Sequence, residues 1–275
     1  MNFDYQFFYE GFFGYSLEQD FSYWSIWHFL PILLLGVAIY LTYRYRDKLR
    51  AWKWEDHFTT ILGVIVILNE AFYYWRLLYV GNGGSSDPKQ LITYLPLQVC
   101  EWSAYLCAFM LLKKNRHLFD ICFYITLTLG LIPLVTPAVI MQTGPLYARY
   151  YQFWLEHLLP IYGVFYMMFV HGMRPDYKKV YKPLGVLSLL TVLAIIANKN
   201  IEGANFMYMS DTTAGDSLAN ILPQNIWLRL LVGIAIVVVL FTLISLPQII
   251  GDIKRHKRAA VATASQEDTP TETEE

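Results

Sequence analysis

The stretch "RYYQFWLEHLLPIYGVFYMMFVHGMRP", Arg149 to Pro175, is apolar enough to sit in lipid, yet it places a glutamate and a histidine side by side. A hydrocarbon layer of roughly 30 Å needs about 20 helical residues at 1.5 Å each. Tyr150 to His171 meets that length. Helical spacing puts Arg149, Gln152 and Glu156 on one face, at i, i+3 and i+7, with His157 turned from Glu156 by only about 100°. Pro160 has no amide hydrogen, so it frees the carbonyl of Glu156 and predicts a kink beside the histidine.

Six further apolar blocks flank this one, approximately Trp24–Tyr43, Phe58–Val80, Thr93–Leu112, Leu118–Met141, Val180–Asn198 and Ile226–Ile250. With 56 % hydrophobic and only 16 % charged residues, the chain is not an ordinary soluble domain. The expected fold is all-α, a polytopic membrane bundle of seven transmembrane helices. Pro133 and Pro137 of "LIPLVTP" predict a broken fourth helix.

Basic residues between the blocks predict the orientation. "RYRDKLRAWK", "KKNR", "RPDYKKVYK" and "KRHKR" together hold sixteen Lys and Arg, whereas the alternate segments hold three, Lys89, Arg149 and Lys199. The positive-inside rule then gives an outside N-terminus and a cytoplasmic C-terminus, as an odd number of spans also requires. Residues 1–23 lack a basic n-region and an apolar h-region and read as an aromatic interfacial segment at the outer surface. Residues 24–250 form the transmembrane domain. Residues 251–275, basic and then acidic, read as a disordered cytoplasmic tail.

Cys100, Cys107 and Cys122 all fall in spans, which implies no disulfide framework. There is no P-loop, nucleotide fingerprint, HExxH, GxSxG or CxxC spacing, so the reading assigns no metal, no cofactor and no nucleic-acid partner. The informative residues are the polar ones in the spans, because an ionisable group in hydrocarbon costs about 2.5–3.5 kcal/mol on insertion scales. They are Asn69, Glu70 and Arg76, then Gln98, Cys100 and Glu101, then Gln152, Glu156 and His157, and finally Arg229. Counted from the outer ends of their spans, Cys100 and His157 lie about 10 Å deep, Glu70 about 15 Å, Arg76 about 6 Å and Arg229 about 5 Å. All belong to the outer half, as the lining of a polar cavity would. Packing roles stand beside this reading: a buried cysteine is commonly a small packing residue, and Glu70 with Arg76 or Glu156 with Arg229 would make buried ion pairs.

"LPLQVC" at Leu95–Cys100, "LIPLVTP" on the next span, the Arg149–Pro175 stretch and "NFMYMSDTTAGDSLANILPQNIWLRLL" at Asn205–Leu231 resemble the YwaF-type integral membrane proteins of bacteria. That family is similar to an animal transmembrane acyltransferase that remodels ether phospholipids. The resemblance covers roughly Leu95 to Ile250 and implies an acyl-enzyme cysteine at Cys100 with His157 as its partner. Gln98 stands where such proteins commonly carry a histidine.

The chemistry is consistent with that implication. An acyl ester is attacked by thiolate, so Cys100 needs an adjacent base, which His157 would supply. Glu156, Glu70 or Glu101 would orient the imidazole. Arg76 and Arg229 would hold a lipid phosphate, with Gln98 and Gln152 lining the site. The expected partners are membrane phospholipids in the cell membrane. The alternative is a transporter or lipid-binding protein that uses the same cavity without catalysis.

Overall fold

The computed structural model describes residues 12–13, 21–80, 95–137, 144–210, 223 and 225–267, with the side chains of 75–80 and 256–267 excepted. The described residues are helical throughout, with no strand. Helix α1 spans Ile26–Arg44, a short α2 Arg46–Arg50, α3 Glu55–Val80, α4 Val99–Lys113 and α5 Arg116–Thr128. A 3-10 turn at Leu129–Leu131 leads into α6, Ile132–Val135, followed by α7 at Ala148–Phe169, α8 at Tyr181–Asn200 and α9 at Ile226–Glu267. The chain is therefore all-α, and each of the seven apolar blocks contains a helix.

Among the described residues, five segments are long and apolar enough to cross a membrane: Ile26–Arg44, Glu55–Tyr74, Arg116–Val135, Tyr177–Asn200 and Ile226–Arg255. The other two blocks contain α4 and α7. Helix α4 has only 15 residues because Leu95 to Gln98, around Pro96, precede the helix instead of extending it. Helix α7 has 22 residues but carries Arg149, Gln152, Glu156 and His157. These are also the helices that the others surround. Helix α7 packs on α1, α3, α4 and α5, and α4 packs on α3, α5 and α7. The outer helices α1 and α9 instead present Leu33, Leu34, Val37, Leu231, Ile234 and Val238 on their exposed faces, as lipid contact requires.

Hydroxyls and amides join the helices where burial leaves no water to satisfy them. Thr42 on α1 pairs with the Tyr162 hydroxyl on α7 at 3.1 Å, Ser103 on α4 with Thr126 on α5 at 2.7 Å, and Tyr124 on α5 with Ser245 on α9 at 2.9 Å. Asn69 on α3 donates to the Gln152 carbonyl on α7 at 3.1 Å. The break expected around Pro133 and Pro137 falls at the 3-10 turn, and the Leu134 carbonyl beyond it meets the buried His28 Nε2 at 2.8 Å. At the opposite end of the bundle from Cys100, Lys114 binds both Glu55 and Asp56, while His171 Nε2 reaches Glu55 at 2.8 Å. Burial works against the Lys114 ammonium, but the hydrogen bonds to Asp56 and Glu55 outweigh it and hold its pKa above the usual lysine value.

The structure describes part of each end of the chain. Phe21, within the segment expected at the interface, is 1 % exposed and packs with Tyr150, Phe153 and Trp154 in the core, because an aromatic ring gains more from full burial between helices. At the other terminus, α9 continues as helix to Glu267 through the stretch expected to be disordered from Gly251. The sequence there, "RAAVATASQE", is rich in alanine, the best helix former, so it prolongs a helix already nucleated. Residues 268–275 lie outside the described residues.

Helices α4 and α7 run close together at one point. A Cβ on Gly163 of α7 would come within 2.8 Å of Cys107 Sγ and 3.2 Å of Leu111 Cδ1 on α4. The Cys107 thiol is itself held by the Pro160 carbonyl at 3.4 Å, so it cannot yield freely. Gly163→Ala should therefore cost about 1–3 kcal/mol by overpacking, read as a lower thermal midpoint in detergent. Gly185→Ala, where a Cβ meets nothing within 4 Å, should leave the midpoint unchanged or raised. Adding Cys107→Ala to Gly163→Ala should restore part of the loss, and an equal cost at both glycines would refute the close-approach account.

Candidate functional site

Two helix segments build the site. On α4, Gln98 is extended, with φ −89° and ψ 151°, and its amide donates to Glu101 Oε2 at 3.0 Å, half of a capping box. The Gln98 side-chain oxygen accepts from the Met207 amide at 2.9 Å, and Trp102 Nε1 donates to the Pro96 carbonyl at 2.7 Å. These contacts fix where α4 begins, and they place Cys100 in its first turn, where backbone N–H groups have no intrahelical acceptor. Gln98 is thus a structural cap at a position where the resembling proteins commonly have a histidine.

On α7, His157 Nδ1 lies 2.8 Å from the Phe153 carbonyl, one turn earlier. A carbonyl oxygen only accepts, so the hydrogen belongs on Nδ1 and Nε2 keeps the free lone pair. The Phe153 ring packs against the imidazole with centroids 4.4 Å apart. Glu156 Oε2 accepts from Gln152 Nε2 at 3.1 Å and lies 3.8 Å from the Arg149 guanidinium. Arg149 also sits 4.5 Å above the Tyr73 ring, a cation–π contact that orients it. The i, i+3, i+7 face read from the sequence is thus a bonded row.

The two segments meet. One donor atom from each of Cys100, Glu156 and His157 lies within 4.8 Å of the other two. Glu156 and His157 are buried and Cys100 is half-buried. Glu101 faces the same space with Oε1 bonded to the Tyr74 hydroxyl at 3.1 Å. Glu70 of α3 is fully buried and is in electrostatic contact with Glu156, Glu101 and Arg149, and with the Cys100 thiol. Neither of its carboxyl oxygens has a hydrogen-bond partner among the described residues.

One expected site residue stands apart. The Arg229 guanidinium donates to the carbonyls of Pro223 at 2.7 Å and Tyr208 at 2.6 Å, and also to that of Ser210. It is a fastener for the polypeptide before α9 and pairs with no carboxylate among the described residues; the cation beside Glu156 is Arg149. The side chain of Arg76 lies outside the described residues. Arg149, Tyr73 and Tyr74 are the members that sequence reading left out of the site. Arg149 had the signal, since it shares the helical face of Glu156, but its position at the mouth of an apolar block makes it look like a flanking charge. The tyrosines look like ordinary span-end aromatics.

The arrangement offers a thiol, a base with a fixed tautomer, a carboxylate held by the Gln152 amide and flanked by the Arg149 charge, and an acid without a hydrogen-bond partner, all in a space shielded by apolar helices. No curated protein and no solved structure matches the chain. Residues 21–244, which take in α1, the whole cluster and α9 as far as Ile244, match the sequence model of the TMEM164 family, and the chain is a member of that family.

Proposed function

We propose that the protein is a phospholipid acyltransferase of the cell membrane, in which Cys100 carries the acyl group and His157 moves the proton. The observation that carries this reading is the approach of the Cys100 sulfur, a His157 ring nitrogen and a Glu156 carboxylate oxygen to within 4.8 Å of one another, with His157 Nδ1 already committed to a carbonyl. In the first half-reaction His157 Nε2 takes the thiol proton as sulfur attacks the ester carbonyl of a phospholipid. The carbon–sulfur bond forms, the ester carbon–oxygen bond breaks, and the leaving lysophospholipid takes the proton from the imidazolium. In the second half-reaction a lysophospholipid hydroxyl gives its proton to His157 and attacks the thioester. A new ester forms and the thiolate leaves, recovering the proton.

The other residues have supporting roles. Glu156, held by Gln152 and Arg149, places a carboxylate beside the imidazolium as it forms. First-turn N–H groups of α4 are the donors best placed for the oxyanion of either tetrahedral intermediate. Glu70 and Glu101 complete the polar lining. Arg149 and Arg76 are the cations proposed to engage the lipid phosphate in place of Arg229.

In the same proposal seven helices span the bilayer, with the N-terminus outside and the C-terminus in the cytoplasm. What supports it is the charge asymmetry of the connecting segments, and it puts the Cys100 cluster in the outer half. In a cysteine-free background, a membrane-impermeant maleimide applied to intact cells should label Leu146→Cys, whose native side chain is 73 % exposed. Lys53→Cys should react only after permeabilisation, and the reverse pattern would overturn the orientation.

The activity has a direct test. Protein made in a cell-free system with defined phospholipids should show one added fatty acyl mass on the peptide containing Cys100, released by neutral hydroxylamine, with a chain that follows the lipid supplied. Cys100→Ala should abolish adduct and turnover, and His157→Ala should slow acylation by about 10²–10⁴. A chain that fails to follow the lipid would leave lipid binding without catalysis as the better description, whereas turnover that survives Cys100→Ala would remove Cys100 as the nucleophile.

A further inference from the structure

The Cys100 cluster has a property that acyl transfer does not need. Glu70, Glu101 and Glu156 share it with one described cation, Arg149, so acids outnumber bases in a buried space. Glu70 in particular leaves both oxygens without a partner while fully buried. Carboxyl oxygens left without a partner beside a thiol and an imidazole make a donor set that a divalent metal ion fills.

We propose that Cys100, His157 and Glu156 form a binding site for a thiophilic divalent cation such as zinc, and that its occupancy blocks the nucleophile. The donor set mixes soft sulfur, imidazole nitrogen and carboxylate oxygen, the ligands zinc takes in tetrahedral sites. Zinc–ligand bonds of about 2.0–2.3 Å put the ligand atoms of a tetrahedron roughly 3.3–3.7 Å apart. The three atoms lie within 4.8 Å of one another, so side-chain rotations of about an ångström, without backbone movement, close the set.

The surroundings fit as well. A metal-binding histidine characteristically donates its other ring N–H to a carbonyl or carboxylate, and a binding carboxylate is itself hydrogen-bonded. His157 Nδ1 does the first with Phe153, and Gln152 does the second for Glu156. Glu70 supplies the compensating charge, and its unpaired carboxyl is the candidate fourth ligand. Binding replaces the thiol hydrogen by the metal: the sulfur–hydrogen bond breaks, the sulfur–metal bond forms, and one proton passes to the solvent. The ion and an acyl group then compete for one sulfur atom.

Metal-free protein in detergent, titrated with cobalt(II), should develop tetrahedral visible bands and a thiolate charge-transfer band that saturate at one ion per chain. Zinc or cadmium should displace the cobalt, and one proton should be released per ion. Cys100→Ser should remove the charge-transfer band. Gln152→Ala should weaken binding by about 10- to 100-fold, the usual effect of losing an outer hydrogen bond, and Glu70→Gln should weaken it too. Cys122→Ala should change nothing, and thermal midpoints of all variants identify any that fail to fold. No charge-transfer band in the wild-type protein, or a band that survives Cys100→Ser, would overturn the site. Since the readout is spectroscopic, it separates this proposal from the acyltransferase reading. A metal band without any acyl adduct would sink only the latter, whereas an adduct whose formation is indifferent to saturating zinc would sink the block.

Discussion

The close run of α4 against α7 at Gly163 sets the register of the polar end. Where Gly163 has no side chain, Cys107 fits against the backbone and its thiol reaches the Pro160 carbonyl. The two helices pass this point in the same direction. Cys100 lies seven residues before Cys107 and His157 six before Gly163, or about 10 and 9 Å along their axes. One contact thus brings sulfur and imidazole to the same level two turns away. The proline serves the same arrangement, since its carbonyl holds the thiol that the glycine accommodates.

Shielding is the second constraint. A row of Arg149, Gln152, Glu156 and His157 would be costly facing lipid, and α7 is packed on by α1, α3, α4 and α5. Three of them, α1, α3 and α4, also bring a polar tie to α7. Thr42 meets Tyr162, Asn69 meets the Gln152 carbonyl, and Cys107 meets Pro160. The same helices that insulate the charged row hold it in place, so the site and the bundle are one structure.

Much of this is legible in the sequence because hydrocarbon is an unforgiving solvent. Block lengths and proline positions locate the helices and the break after Thr128, and depth counting brings Cys100 and His157 to one level. Lateral neighbours are harder to read. Depth alone gives Arg229 and Arg149 equal claims on Glu156, and only the packing of α7 and the carbonyls of Tyr208, Ser210 and Pro223 separate them. The start of α4 is hidden for a different reason: its cap at Gln98 depends on Met207, distant in sequence. His28 escapes notice because its partner is a carbonyl exposed by a helix break on another segment.

Helix α1 adds a consequence for how the protein is made. It leaves the ribosome well before its polar partners: His28 awaits Leu134, 106 residues on, Thr42 awaits Tyr162 after 120, and the Trp27 carbonyl awaits the Tyr150 hydroxyl after 123. During synthesis α1 must therefore lodge in the bilayer with its histidine satisfied only at Nδ1, by the Trp24 amide, and carried by the apolar residues around it. Only when α7 emerges can the early helix dock, so assembly of this bundle proceeds inward from a provisional anchor instead of accreting helix by helix.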